Sequence, residues 1–359
     1  MGVCSAGMSS PANRIPRCFR SEIEKGSIAR KKEANQEDQT KTKEKLWYEK
    51  KLSNFGPISS KDKMTLDMLR VVYGAVKEVP KRAKENDRKA ANEAGTQLTY
   101  GEIDPRGVMM MAKNLSFNDA DVLLDIGSGR GRVAVQAFDQ YNFSRVIGVE
   151  VARERFELCE NAVDCYVKYH KAHDHFSVER LRKMPHDYGI PEKDFVIVEA
   201  SCPVTSKEGS KSSSKRQSTL EFYRADIGTL RDLIADAKPT VVLMDMAFPS
   251  MPVSLASVLN TLPFGTRMLT YENLDKKWPE SLEFPFSFLD GDKFLTSWQP
   301  EVGHYFFKWV KKRTSNRKRA LCDDDSKELA DFGIAPHTEV PSPQQPRKKV
   351  ATAVLQQEA

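Results

Sequence analysis

The stretch 122–151 constrains the fold of this chain most, because two apolar runs flank a glycine-rich turn and the second run ends in an acid. Val122, Leu123 and Leu124 form a continuous apolar run, the pattern of a parallel strand covered on both faces. Asp125 closes that run, and Ile126 leads into Gly127, Ser128, Gly129, Arg130 and Gly131. Residues without Cβ permit a tight turn and let a ligand lie against bare backbone. A helix is expected from about Arg132 and a second strand over 145–149. Glu150 then stands at a strand's carboxyl end, where open α/β folds place the acid that accepts from ribose hydroxyls. Together these residues read as half of a nucleotide-binding α/β fold and predict an adenosine ligand.

The glycine spacing narrows the ligand. Gly127, Gly129 and Gly131 give G-x-G-x-G, whereas seating a pyrophosphate on a helix N-terminus calls for G-x-G-x-x-G. S-adenosylmethionine has no phosphate and suits the shorter spacing, and its ammonium can use nearby acids and backbone carbonyls. The competing reading is a glycine turn in an α/β domain that binds something else or nothing.

At 359 residues, with 40% hydrophobic and 30% charged side chains, the chain can hold one sizeable core plus a smaller region or solvated tails. The net charge of +6 is modest, so attraction to nucleic acid is expected from local basic clusters. No apolar run reaches the roughly 18 residues of a membrane span, and a soluble, intracellular protein is expected. The start, Met1-Gly2-Val3-Cys4-Ser5-Ala6, approaches an acylation signal but has Ala6 where Ser or Thr is wanted. The six cysteines lie far apart and read as reduced thiols. Cys159, Cys165, His170, His173 and His175 cluster, but lack the tight ligand pairs of zinc sites, and a structural or solvated role is the reading adopted.

In chain order, 1–43 reads as a disordered polar tail, and 44–112 as a small helical region ending in a loop, 97–104, able to close over a cofactor. The catalytic domain is placed at 113–312, with a low-complexity Ser/Lys insertion at 203–219, and 313–359 reads as a basic, Pro-containing tail. Strands are expected near 194–202, 220–224, 241–244, 265–271, 286–294 and 305–310. Asp226 is placed to meet an adenine amine, with Ile227 beside it. Asp245, Met246, Ala247 and Phe248 end a buried strand, where open α/β sheets put their active sites.

The collected motifs resemble the non-SET histone H3 lysine methyltransferases, the disruptor of telomeric silencing 1-like family, over 100–310. Tyr100, Gly101 and Glu102 are similar to its cofactor-covering loop, and 125–131, holding Asp125, Gly127, Ser128, Gly129 and Gly131, to its glycine-rich signature. Glu150 and Asp226 match its ribose and adenine acids. The segment 244–248 is similar to its catalytic Asn-Asn-Phe-Ala-Phe segment, and Ser297, Trp298 and Tyr305 resemble the aromatic wall of its lysine channel. Ile103 stands where the family has threonine, and Asp245 where it has asparagine. The resemblance implies a class I S-adenosylmethionine-dependent methyltransferase: a Rossmann-like, mostly parallel sheet with helices on both faces. It also implies nuclear localisation, a nucleosome partner contacted through histone H3 and DNA, and a lysine of the globular core of H3 as acceptor.

Chemistry points to the same place. Methyl transfer to an amine is an in-line displacement, which requires a neutral amine, alignment and exclusion of water. Trp298, Tyr305 and Phe248 would disfavour an ammonium by desolvation and hold its methylated form on ring faces, while Asp245 would accept a hydrogen bond from the amine. Two other functions compete. The segment 245–248 also resembles the Asp-Pro-Pro-aromatic motif of nucleic-acid amino methyltransferases, although Met246 and Ala247 replace the prolines. A catalytically weak chromatin-binding relative is the third reading. The run Lys311, Lys312, Arg313, Arg317, Lys318 and Arg319 is expected to be a nuclear-import signal, a contact to nucleosomal DNA, or both.

Overall fold

The computed structural model describes residues 58–80, 82–98, 101–173, 177–181, 183–184, 187–203 and 215–313. Five strands run parallel at the centre of the sheet: β1 (Val122–Ile126), β2 (Arg145–Glu150), β5 (Lys215–Arg224), β6 (Val241–Met244) and β7 (Arg267–Thr270). Antiparallel strands flank them, β3 (Ser177–Leu181) and β4 (Phe195–Pro203) on one side, β8 (Phe286–Thr296) and β9 (Gln299–Lys311) on the other. The order is β3-β4-β5-β2-β1-β6-β7-β9-β8. From β1 the chain builds outward through β2 and β5, then crosses back to lay β6 and β7 on β1's other side. Strand order therefore reverses between β1 and β6, and open α/β sheets bind ligands in the crevice at the carboxyl ends beside such a reversal. With the antiparallel β9 entering next to β7, this is the Rossmann-like class I methyltransferase architecture.

Alternate residues of the central strands serve two cores, which explains their unbroken apolar runs. Leu123, Val146, Leu220, Val241 and Leu243 face one core together with α1 (Ser60–Gly74), α3 (Pro105–Asn114), α4 (Arg132–Tyr141) and α5 (Arg153–His173). Leu124, Ile147, Val149, Val242 and Met244 face the other, against α6 (Arg231–Ala237) and α7 (Val253–Asn260). The expected helical region before the sheet comprises α1, α2 (Glu85–Glu93) and α3 among the described residues. Ser59 caps α1 through the Asp62 N–H, and Asp104 caps α3 through the Arg106 N–H.

The sheet is wider than the sequence suggests. β3 has one fully buried residue, Val178, so no apolar run announces it. β5 begins at Lys215, inside the expected low-complexity insertion, because the chain there completes an antiparallel ladder with β4 from Lys215 opposite Pro203. α5 continues to His173, and its buried His170 lies 3.1 Å from Asp139. Residues 1–43 and 314–359 of the expected tails, His175, and residues 204–214 of the insertion lie outside the described residues, as do Arg317, Lys318 and Arg319.

Lys311 corrects one expectation. It is 3% exposed, and its Nζ donates to the carbonyls of Leu259 and Asn260 at 3.3 and 3.2 Å. This ammonium satisfies the C-terminal carbonyls of α7 and favours that end of the helix dipole. It is a structural cation, not part of a surface run; burial pushes its pKa down to about 8. Lys311→Ala is expected to lower stability by about 1.5–3 kcal/mol, the range for charged hydrogen bonds, in a denaturant melt.

Candidate active site

The crevice at the β1/β6 reversal is an open cavity. The glycine turn, Glu150, the 225–227 segment, Asp245 and Met246, and the covering segment from Ala94 to Ile103 line it. Each wall follows from strand geometry. Asp125 is inside β1, one residue before its end, Glu150 ends β2, and Asp245 directly follows β6, so parallel pairing sets Glu150 and Asp245 at one level, two residues beyond Asp125, and gathers the three carboxylates at the carboxyl ends of neighbouring strands.

The glycine turn is closed upon itself. Gly127, Gly129 and Gly131 all adopt positive φ, at 80°, 57° and 79°, a region that favours glycine. The N–H groups of Gly127 and Ser128 donate to the Val149 carbonyl at 2.9 and 3.0 Å, and that of Gly131 to the Ser128 carbonyl at 2.8 Å. Gly129 donates to Glu150 Oε2 at 3.0 Å. These donors are engaged within the protein, so the turn is not an anion cradle of the kind that holds a pyrophosphate.

The electrostatics favour a cation. Asp125 is 4% exposed, and its buried Oδ2 has no hydrogen-bond partner among the described residues. Burial first, then the charges of Asp245 and Glu150, push its carboxyl up to about 8. Burial alone lifts Asp245 to about 7. Burial also raises Glu150, opposed by the nearby Arg155 and by backbone N–H donors, among them Ala152 at 2.8 Å. Clustered carboxylates that resist ionisation are relieved by a positive ligand. A sulfonium and an ammonium supply such charge, Glu150 stands where ribose hydroxyls would reach it, and Asp226 and Ile227 line the wall for an adenine. These residues fit S-adenosylmethionine.

The covering segment is sewn to both sides of the sheet. Gln97 N–H donates to the Ala247 carbonyl at 3.0 Å, and Asp104 N–H to the Leu295 carbonyl at 2.9 Å. Ser297 exchanges bonds with Glu102, its N–H donating to the Glu102 carbonyl at 2.8 Å and its Oγ accepting from the Glu102 N–H at 3.0 Å. The Glu102 carboxylate accepts from Arg130 Nε at 2.5 Å and Arg132 Nη1 at 2.8 Å, clamping the segment onto the glycine turn. Glu102 thus holds the cover as well as lining the cavity. Tyr100 lies outside the described residues.

The site differs from expectation in one residue on the cofactor side and two on the acceptor side. Gly131 does not line the cavity; it is the N-cap of α4, where an added Cβ would lie 2.7 Å from Cys159 Sγ and 2.8 Å from the Phe222 ring. Phe248 is 1% exposed and belongs to the core with Met244 and Met251 rather than to the cavity wall. Tyr305 follows His304 on β9 and therefore points to the opposite face; its ring lies over Gly291, 5.1 Å from Phe307. The wall near Trp298 is made instead by His304 and Tyr271. Trp298 is 38% exposed, and its ring lies against Gly101 so closely that a Cβ there would meet it at 2.1 Å.

Gln97 and Leu98 line the cavity from the expected covering loop, whereas sequence reading missed Thr96 and Arg155 in the cavity and Tyr271 and His304 beside it. A signal existed for two of them. Arg155 lies in the first turn of the helix after Glu150, and Tyr271 directly follows β7, the neighbour of the strand that carries Asp245.

Solved structures similar in part to this chain include a putative RNA methyltransferase from Pyrococcus horikoshii, at 12% identity and TM-score 0.34 over 71% of this chain and 100% of that one. An RNA methyltransferase from Salinibacter ruber in complex with S-adenosyl-L-homocysteine aligns at 17% identity and TM-score 0.32, over 60% and 95% of the two chains. At that similarity the strand order of this chain, not its neighbours, carries the fold. No curated protein sequence matches. The family described as histone methylation protein DOT1 matches residues 82–201, a stretch that contains the covering segment, the glycine turn and Glu150 but ends before Asp245. Over those residues, about a third of its length, the chain is similar to that histone methylation family.

Proposed function

We propose that the protein transfers methyl groups from S-adenosylmethionine to a lysine in the globular core of histone H3 within nucleosomes, in the nucleus. The observation that carries this reading is the cavity whose buried carboxylates seek a cation and whose far wall presents Asp245 beside an aromatic cluster. The match of residues 82–201 to the histone methylation family supports that activity class, and the cofactor is S-adenosylmethionine.

The bound cofactor supplies a methyl group on a sulfonium. The remaining work belongs to this chain. Glu150 and Asp226 orient the nucleoside, and Asp125 balances the positive charge. The covering segment excludes water, which strengthens each of these interactions. Aromatic faces disfavour the charged acceptor, so the amine enters neutral. Asp245 accepts an N–H from it, which turns the nitrogen lone pair toward the methyl carbon. With the cofactor bound, its sulfonium would supply the methyl group to that lone pair and keep the C–S electron pair, and the ammonium formed on the acceptor would lose a proton to water.

The base-modifying alternative needs an aromatic from 245–248 to stack on a flipped base, and Phe248 lies in the core instead. Nucleosomal DNA is the counterpart assigned to Lys312, Arg313 and the basic residues that follow; Arg313 lies 4.9 Å from the Phe264 ring centroid. Labelled S-adenosylmethionine should transfer its methyl group to histone H3 in nucleosomes, and to free histones, DNA and RNA weakly or not at all. Label confined to nucleic acid, or none on any acceptor, would overturn the proposal.

A further inference from the structure

The aromatic wall beside Asp245 contains a pair that neither strand pattern nor family resemblance singled out. The Tyr271 and His304 rings stack at 4.5 Å with 12° between their planes. Trp298 stands over both, 5.8 Å from His304 and 6.4 Å from Tyr271, and tilted to each. Three elements converge here. Tyr271 directly follows β7, and its N–H donates to the Met244 carbonyl at 3.0 Å, which fixes it one strand over from Asp245. His304 reaches the same level from β9, and Trp298 from the turn between β8 and β9.

The surroundings suit an uncharged wall. Burial pushes the His304 imidazole down and keeps it neutral, while burial, Glu272 and Asp245 push the Tyr271 phenol up. All three side chains remain partly exposed; Tyr271 and His304 cover each other's facing sides, and what the stack leaves exposed is available to a guest. The cofactor-covering Gly101 packs against the back of Trp298, so cofactor and acceptor surfaces share one wall. Neutral π faces on one side and a carboxylate on the other bind ammonium groups that carry methyls, because each methyl thins the hydration shell while leaving the charge.

Building on the function proposed above, we infer that Tyr271 and His304, with Trp298, form the acceptor subsite and set how many methyl groups are added. A monomethylated amine returns to the stacked faces, keeps an N–H for Asp245, and is aligned for a second transfer. The Tyr271–His304 pair makes this possible, and Tyr305, on the other face of β9, takes no part.

The test is mass spectrometry of histone H3 after reaction with nucleosomes at saturating cofactor, with acceptor KM and kcat measured separately. The wild type should accumulate methyl states above mono. Tyr271→Ala and His304→Ala should each stop largely at monomethyl and raise acceptor KM about tenfold, the size of a cation–π contact partly removed from water. Tyr271→Phe and His304→Phe, which preserve a ring, should recover the wild-type product pattern, and calorimetry should find cofactor affinity intact in all four. An unchanged product pattern and KM in both alanine variants would overturn the inference while leaving the functional reading in place. Failure of the ring-preserving variants to recover the pattern would also overturn it. A wild type that labels no histone removes the functional reading, and this subsite with it.

Discussion

Glu150→Ala should reduce S-adenosylmethionine affinity by about 100-fold or more in calorimetry, since two ribose hydrogen bonds to a charged acceptor contribute roughly 1.5–3 kcal/mol each. The structure adds a second effect. Glu150 is 3% exposed, and its two oxygens already hold the Gly129 and Ala152 N–H groups. Removing them leaves two buried donors unpaired, so thermal stability should fall as well, by roughly 1–3 kcal/mol per donor. Gly129→Arg separates the two effects. It leaves the Glu150 carboxylate in place, but puts a side chain at φ 57° and a cation where the ligand's charge belongs. Unchanged cofactor affinity in both variants would remove the central assignment.

The second large effect concerns pH. Asp125 and Asp245 have ordinary values of 3.8 and rise to about 8 and about 7 in the ligand-free fold. A carboxyl raised on folding binds its proton more tightly in the native state, so its stabilising contribution is complete below 3.8 and is lost as pH climbs through the folded value. Ligand-free protein should therefore weaken between about pH 5 and 8, by up to about 1.4 kcal/mol per pH unit for each group. Cofactor binding should run the other way, tightening over the same window as the acids ionise against its positive charge and release protons. Asp125→Asn should flatten much of both dependences and weaken binding. A wild type whose melting temperature and affinity do not respond to pH over this range would mean that these acids are not poised for a cation.

Much of the cofactor half was legible because its signals are local. The apolar run 122–124, the glycines after it and Glu150 lie within 30 residues, and parallel pairing fixes their meaning. The acceptor half was harder, since it is assembled by register. Whether Tyr305 or His304 meets Trp298 depends on a one-residue alternation along β9, and aromatic residues at 304–309 read equally well either way. Gly303, at φ 71°, and the irregular pairing near Phe294 and Thr296 set that alternation, and neither is visible as hydrophobic pattern. Phe248 was misplaced for a similar reason: the chain turns into the core two residues after Met246. Lys311 looked like the start of a basic tail because sequence cannot tell that its strand ends beside the carbonyls of α7.

The stitched covering segment has a consequence for the route by which molecules come and go. Its backbone bonds to Ala247 on one side and to Leu295 and Ser297 on the other make it a bridge across the mouth of the crevice, while the Tyr271–His304 wall lies beyond the bridge's far abutment. On the proposed function, cofactor and acceptor would reach the site from different sides of that bridge, and freeing the cover for cofactor exchange would mean parting Glu102 from Arg130 and Arg132.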